Sequence, residues 1–362
     1  MTTVDSPLHR LAEVAAAISE EWHGFDRDIE VFPAVVARHT VQLDLTPFNT
    51  LAKQQQLLFD SDVRELQTTS SFSDAYFKLY DDGHLWVEVL NWWGSDINIH
   101  DHNFSGVQFQ LDGKSIDVKY KYSADVTVDG LEFGGIAPGA VRLWEPGSTS
   151  VVLPGDAEPH IVYHLDEPTV SLLIRTHPRP EYSTQHNYFP PGCRADYTVV
   201  DNGFRTNLKI LRLLDRAQPD DFRECFIRTI SRQDANENLL TFAKLMDILF
   251  RERNADLIPV FLDRGGPASW AIIDAARRYH ASNYISETLR KSPTVGTREA
   301  IALTVLASAP NAETLDGLMI QVEDHLEGTD VRAATRKALA GLSKAHTAEV
   351  ERVSRVLDVE LI

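Results

Sequence analysis

Between residues 75 and 176, short β-rich runs alternate with turn signals about every ten residues, and this rhythm constrains the fold more than any other feature. Ala75-Tyr76-Phe77-Lys78-Leu79-Tyr80 is rich in strand formers, Asp81-Asp82-Gly83 is a turn, and residues 85 to 93 read as the returning strand of a hairpin. The turn Asp112-Gly113 separates a strand at 106 to 111 from one at 115 to 122, where apolar and polar residues alternate. Further strands are expected at 141 to 145, 150 to 153, 160 to 165 and 169 to 176. Pro138-Gly139, Pro146-Gly147, Pro154-Gly155 and Glu167-Pro168 mark the turns between them. The pattern predicts a β-sandwich or barrel, and nothing in it resembles βαβ alternation.

Helical signals flank this block. Ser6-Pro7 followed by Leu8, Leu11, Val14, Ala15 and Ile18 predicts a capped helix ending near Trp22-His23-Gly24. A short helix is expected around 32 to 38, and another opens at Thr46-Pro47. From His177 to about Gly203 the chain is rich in Pro and aromatic residues, which predicts an extended connector lying on the barrel. Beyond Arg205 the period is helical throughout, with helices expected at 206 to 217, 219 to 231, 237 to 251, 255 to 263, 267 to 278, 282 to 290, 296 to 307, 311 to 323 and 329 to 343. Short polar links suggest stacked antiparallel pairs of the HEAT kind, without a fixed-period consensus. The expected division is a β domain with N-terminal helices over 1–190, a connector over 191–205 and an all-α domain over 206–362.

A formal net charge of −18 argues against a nucleic-acid or anionic-membrane binder, because phosphate affinity comes from clustered Lys and Arg. No apolar run approaches the roughly 20 residues that span a bilayer. The opening Met1-Thr2-Thr3-Val4-Asp5 lacks the basic and apolar regions of a secretory signal, and the two cysteines, Cys193 and Cys225, suit a reducing compartment. A cytoplasmic location is expected.

One stretch of the β block carries chemistry. In Ile99-His100-Asp101-His102 the two histidines project to the same side of a strand, because side-chain direction repeats every two residues. Paired neutral imidazoles suit iron(II), copper, nickel or zinc. A third ligand is available at His160 or at His164, which share a strand face. Asp101 points away, to a hydrogen bond or to solvent. His177, His186, His280, His325 and His346 have no ligand spacing and are expected at the surface.

These residues resemble the cysteine dioxygenase family, the thiol dioxygenases of the cupin superfamily. Gly94, His100 and His102 match the first cupin motif, G-x(5)-H-x-H, and Trp92-Trp93-Gly94 leads into it as the family's tryptophan-glycine does. Pro154-Gly155, His160 and Glu167-Pro168-Thr169-Val170-Ser171-Leu172 match the second segment. The resemblance covers about residues 73 to 177 and implies a double-sheet jelly-roll barrel, so that the chain as a whole is a multidomain α+β protein. It implies that His100, His102 and His160 hold mononuclear Fe(II), with zinc or nickel the less favoured ions. The glutamate that many cupins add after the second histidine is absent, since Gly106 and Val107 stand there. Three neutral ligands leave open positions for a substrate heteroatom and dioxygen.

The same comparison shows departures. Where the family has Ser, His and Tyr on alternate positions of the last core strand, this chain has Ser171, Leu173 and Arg175. Val107 replaces the cysteine of the family's thioether crosslink. Lys78 stands near the position of the arginine that clamps the substrate carboxylate, and a lysine cannot form the bidentate fork. Arg175 is then the candidate anion anchor, with Ser171 and Lys78 as the other candidate catalytic residues. The replaced residues point to a substrate other than cysteine. The expected function is an iron-dependent oxygenase acting on a small thiol or amine with dioxygen. The alternative is a non-catalytic, zinc or nickel cupin whose helical domain binds a protein partner or forms a homodimer.

Overall fold

The computed structural model describes residues 6–68, 73–93, 98–179, 181–182, 185–196, 200–264, 266–293, 295–309, 312–326 and 328–340. Gly94, Leu342 and His346 lie outside them. Ser6 caps the first helix, α1 (Pro7–His23), its Oγ accepting from His9 N at 3.1 Å. Next come α2 (Phe32–Thr40), a tight turn over Thr46–Phe48, α3 (Leu51–Leu57) and α4 (Ser61–Glu65).

Eleven strands follow among the described residues: β1 (Ala75–Asp81), β2 (Leu85–Trp92), β3 (Ile99–His102), β4 (Gly106–Asp112), β5 (Ser115–Val128), β6 (Leu131–Trp144), β7 (Thr149–Val152), β8 (Gly155–His164), β9 (Thr169–Thr176), β10 (His186–Phe189) and β11 (Cys193–Asp196). One sheet runs β1-β2-β9-β4-β7, and the second, β10-β11-β6-β5-β8-β3, closes on itself through the β3–β10 pair. Together they form the two layers of a β-barrel domain, and pairing is antiparallel throughout the described strands.

Two segments differ from the sequence expectation. The stretch expected as an extended connector is extended, but β10 and β11 hydrogen-bond into the second sheet, and α5 already begins at Asn202. The β10–β11 turn sits so close to β6 that a Cβ on Gly192 would fall 1.7 Å from the Gly134 carbonyl oxygen. The strands expected at 115 to 122 and 141 to 145 are much longer, and β6 runs straight through the turn expected at Pro138-Gly139. Asp129-Gly130, at φ 52° and 82°, closes a long β5–β6 ribbon. Leu131, Val128 and Phe133 on that ribbon are buried among helices that come later in the chain, which explains why it extends beyond the barrel.

Those helices are α5 (Asn202–Ala217), α6 (Pro219–Ile230), α7 (Ala235–Leu249), α8 (Leu257–Arg264), α9 (Ser269–Asn283), α10 (Thr297–Ser308), α11 (Ala312–Gln321), α12 (Glu323–Leu326) and α13 (Val331–Ala340). The expected break near residue 280 is absent. α9 runs directly into a wider turn over Tyr284–Leu289. α7 is capped by a reciprocal Asp234–Glu237 box and is buried on almost every side, as the central helix of its half must be.

Side-chain alternation decides what covers the barrel. Val170, Leu172 and Ile174 of β9, with Val87, Val89 and Val107, face outward onto α1 and α2. Ile116, Val118 and Tyr120 of β5, with Ile161 and Tyr163 of β8, face outward onto Ile285, Leu289, Ile301 and Val305 of the helical half. The Tyr120 hydroxyl crosses this seam and donates to the Ser308 carbonyl at 3.0 Å. The second sheet and the later helices therefore share one apolar cluster.

Ile116 is fully buried in that seam. Ile116→Ala is expected to cost about 2–4 kcal/mol. The losses of tryptophan fluorescence and of helical circular dichroism in urea should shift together; a shift in one alone would show the two halves to be energetically separate.

Candidate metal centre

The three histidines come from two neighbouring strands. β3 pairs with β8 so that His100 lies opposite His160 and His102 opposite Gly155. One ring nitrogen from each of His100, His102 and His160 can be chosen so that all lie within 4.8 Å of one another. His102 Nε2 and His160 Nε2 face each other at 2.9 Å. His102 and His160 are buried, and His100 is half-buried at the open side.

Backbone and carboxylate groups fix the protons of two rings. His160 Nδ1 donates to Asp117 Oδ1 at 2.7 Å, and His100 Nδ1 donates to the Asn98 carbonyl at 2.9 Å. Both acceptors lack a proton to give, so each ring turns its Nε2 lone pair towards the cluster. Burial, and then the nearby His160 ring, push the pKa of His100 down to about 4. Burial, and then His100, hold His102 well below the ordinary imidazole range. Neutral rings with converging lone pairs, one oriented by a buried carboxylate, suit a borderline divalent ion. The donor set fits a metal.

His164 is a different kind of residue. It faces the interior as His160 does, but four residues along β8, roughly 13 Å further down the barrel. There its Nδ1 lies 3.0 Å from Ser115 Oγ and its ring stacks on Trp92 at 4.7 Å and 18°. Burial depresses its pKa to about 3. The ambiguity in the sequence between His160 and His164 is resolved by depth, since both have the correct parity and only His160 reaches the H-x-H pair.

Lys78 and Arg175 both lie on the inner face of the first sheet. The Arg175 guanidinium is sandwiched between Trp86 and Phe104, 3.9 Å from each ring, and Phe104 packs on the His102 ring at 4.7 Å. Its Nε lies 3.0 Å from Glu88 Oε1. Lys78 Nζ bonds Asp81 at 2.7 Å and lies over Trp86. Ser171 is fully buried four residues from Arg175 along β9, opposite Leu90 and Gln110. Val107 packs outward against the N-terminal helices, so its position does not face the centre.

Asp101 points out of the barrel, and it is not solvated. It accepts from His186 N, the His186 ring and the Tyr188 hydroxyl at 2.6–2.8 Å, fastening the short β3 to β10. His186 and His177, expected at the surface, are thus partly buried partners of Asp101 and Asp81. Asp117 and Glu88 were not singled out from the sequence. The available signal was an acid flanked by apolar residues on strand parity (Ile116-Asp117-Val118, Val87-Glu88-Val89), which marks a charge on the face opposite the apolar one.

Asp117→Asn is expected to weaken metal binding about 10- to 100-fold, measured by competition with a chromophoric chelator. His160→Ala should lose the metal, whereas His164→Gln should retain it. The folded pKa of His164, about 3, lies below the ordinary 6.5, so the unfolded chain takes up the proton first and stability falls as pH drops below 6.5. His164→Gln should flatten that decline in denaturant midpoints measured between pH 7 and 4.

No family model matches the sequence, and no curated protein matches it. Among solved structures, hydroquinone 1,2-dioxygenase from a Sphingomonas species is similar at 11% identity over 30% of this chain and 70% of that one, with a TM-score of 0.23. An RmlC-like cupin from Shewanella frigidimarina is similar at 13% identity over 32% of this chain and 88% of its own, TM-score 0.22. A Thermus thermophilus protein, TT1209, is similar at 16% identity over 33% and 96%, TM-score 0.22. No activity passes from those proteins to this chain on likeness of that degree.

Proposed function

We propose that this chain is a mononuclear metal-dependent oxygenase in which His100, His102 and His160 hold iron(II), and that its substrate is a small molecule bearing a thiol or amine. The observation that carries the reading is the convergence of three imidazoles, with no carboxylate in the group among the described residues, two with their ring protons fixed outward. Iron held by His100, His102 and His160 would supply open coordination positions for a substrate heteroatom and dioxygen, and would retain the positive charge that favours an anionic donor.

The chain's own residues then have distinct tasks. Asp117 and the Asn98 carbonyl hold two imidazoles in the ligating tautomer. Phe104, Val152 and Leu173 form a small apolar cluster that keeps water from the His102 side. Arg175 and Trp86 line the adjoining wall. Ser171 sits deeper, and in this reading shapes the cavity floor.

The test is metal analysis with dioxygen uptake. Protein purified from unsupplemented medium should hold close to one iron per chain, His100→Ala should lose it, and iron-loaded protein should consume oxygen with a small thiol. Full iron content in the variant, or zinc in place of iron together with no oxygen uptake, would overturn the reading.

A further inference from the structure

We infer that this centre selects substrates with one anionic donor and no carboxylate, such as an aminothiol or a neutral thiol. The inference rests on the proposed metal-bound thiol and concerns what else the substrate carries.

Among the described residues, three cations stand on inner faces near the histidines: Lys78 on β1, Lys119 opposite His160 on β5, and Arg175 on β9. Each already has a carboxylate of the chain. Lys78 Nζ lies 2.7 Å from Asp81, Lys119 Nζ 2.9 Å from Glu158, and Arg175 Nε 3.0 Å from Glu88. The Arg175 pair is the best shielded, its side chains 15% and 3% exposed. Both faces of the guanidinium are covered by rings. Glu88 is also held by the Trp86 indole N–H at 2.7 Å and by the Tyr76 hydroxyl. A substrate carboxylate at the Arg175 Nε edge would have to displace Glu88, which Trp86 and Tyr76 hold in place beside it.

Charge balance gives the same answer. The three ion pairs cancel and the imidazoles are neutral, so Asp117 leaves a divalent ion with one net positive charge. A single thiolate cancels it. With the substrate amine bound as the neutral base, a carboxylate on the same substrate would then be an uncompensated anion among desolvated side chains, which is costly.

Anaerobic equilibrium binding to the iron-loaded full chain tests this, with cysteamine, L-cysteine methyl ester and L-cysteine as probes. Cysteamine and the ester should bind at least about tenfold more tightly than L-cysteine. L-cysteine binding as tightly as the other two would overturn the inference while leaving the oxygenase reading intact. Failure of all three to bind would overturn both the inference and the thiol part of that reading, with metal content still reporting on the three histidines. Glu88→Gln, which frees Arg175, should tighten L-cysteine binding at least about tenfold and change cysteamine binding little. A folded variant with the wild-type preference would count against the inference; if it does not fold, the wild-type series decides alone.

Discussion

The barrel is polar within and apolar without, and the rest of the structure follows from that inversion. Strands with His100, His102, Asp117, His160 and His164 on one face must put Ile116, Val118, Tyr120, Ile161 and Tyr163 on the other. Apolar faces on both sheets need cover. α1 and α2 supply it for one sheet, and the C-terminal helices for the other. The helical half is therefore part of what makes this barrel stable, and its inner surface is committed to the seam. The β5–β6 ribbon deepens the attachment by reaching out among α5 to α9.

Within the barrel, orientation of the ligands depends on neighbours that are remote in sequence. Asp117 reaches His160 across the β5–β8 pair. Asp101, between His100 and His102 but turned the opposite way, bonds to β10 and so holds the four-residue β3 in place. Inward ligand and outward fastener alternate along one short strand. The late β10–β11 hairpin matters for the same reason: without it β3 would be an open edge on that side.

Much of this was legible before any coordinates. The strand rhythm placed β1, β2, β4, β7 and β9 closely, and helical periodicity placed nearly every C-terminal helix. The period-2 argument put His100 and His102 together, and the family resemblance selected His160. Other features were hidden for physical reasons. Pro138-Gly139 reads as a turn, yet β6 runs through it because the ribbon is supported by later helices. The Pro-rich segment after His177 looks like a linker, yet its strands pair with β3 and β6, partners far away in sequence. Lys78 and Arg175 have the right parity for the interior, but parity says nothing of the partner each one finds.

What the sequence determined by itself was periodicity: which residues share a face, where helix replaces strand, and which imidazoles lie on one side of β3. These follow from backbone geometry over a few residues. What only the tertiary structure decided was depth and partnership: that His160 meets the pair while His164 stacks on Trp92, that Asp117 orients the His160 ring, and that Glu88 already holds Arg175. Those outcomes depend on register between strands and on packing between sheets. Alternation leaves both open, because sliding a strand by two residues keeps every side chain on its face and changes every neighbour.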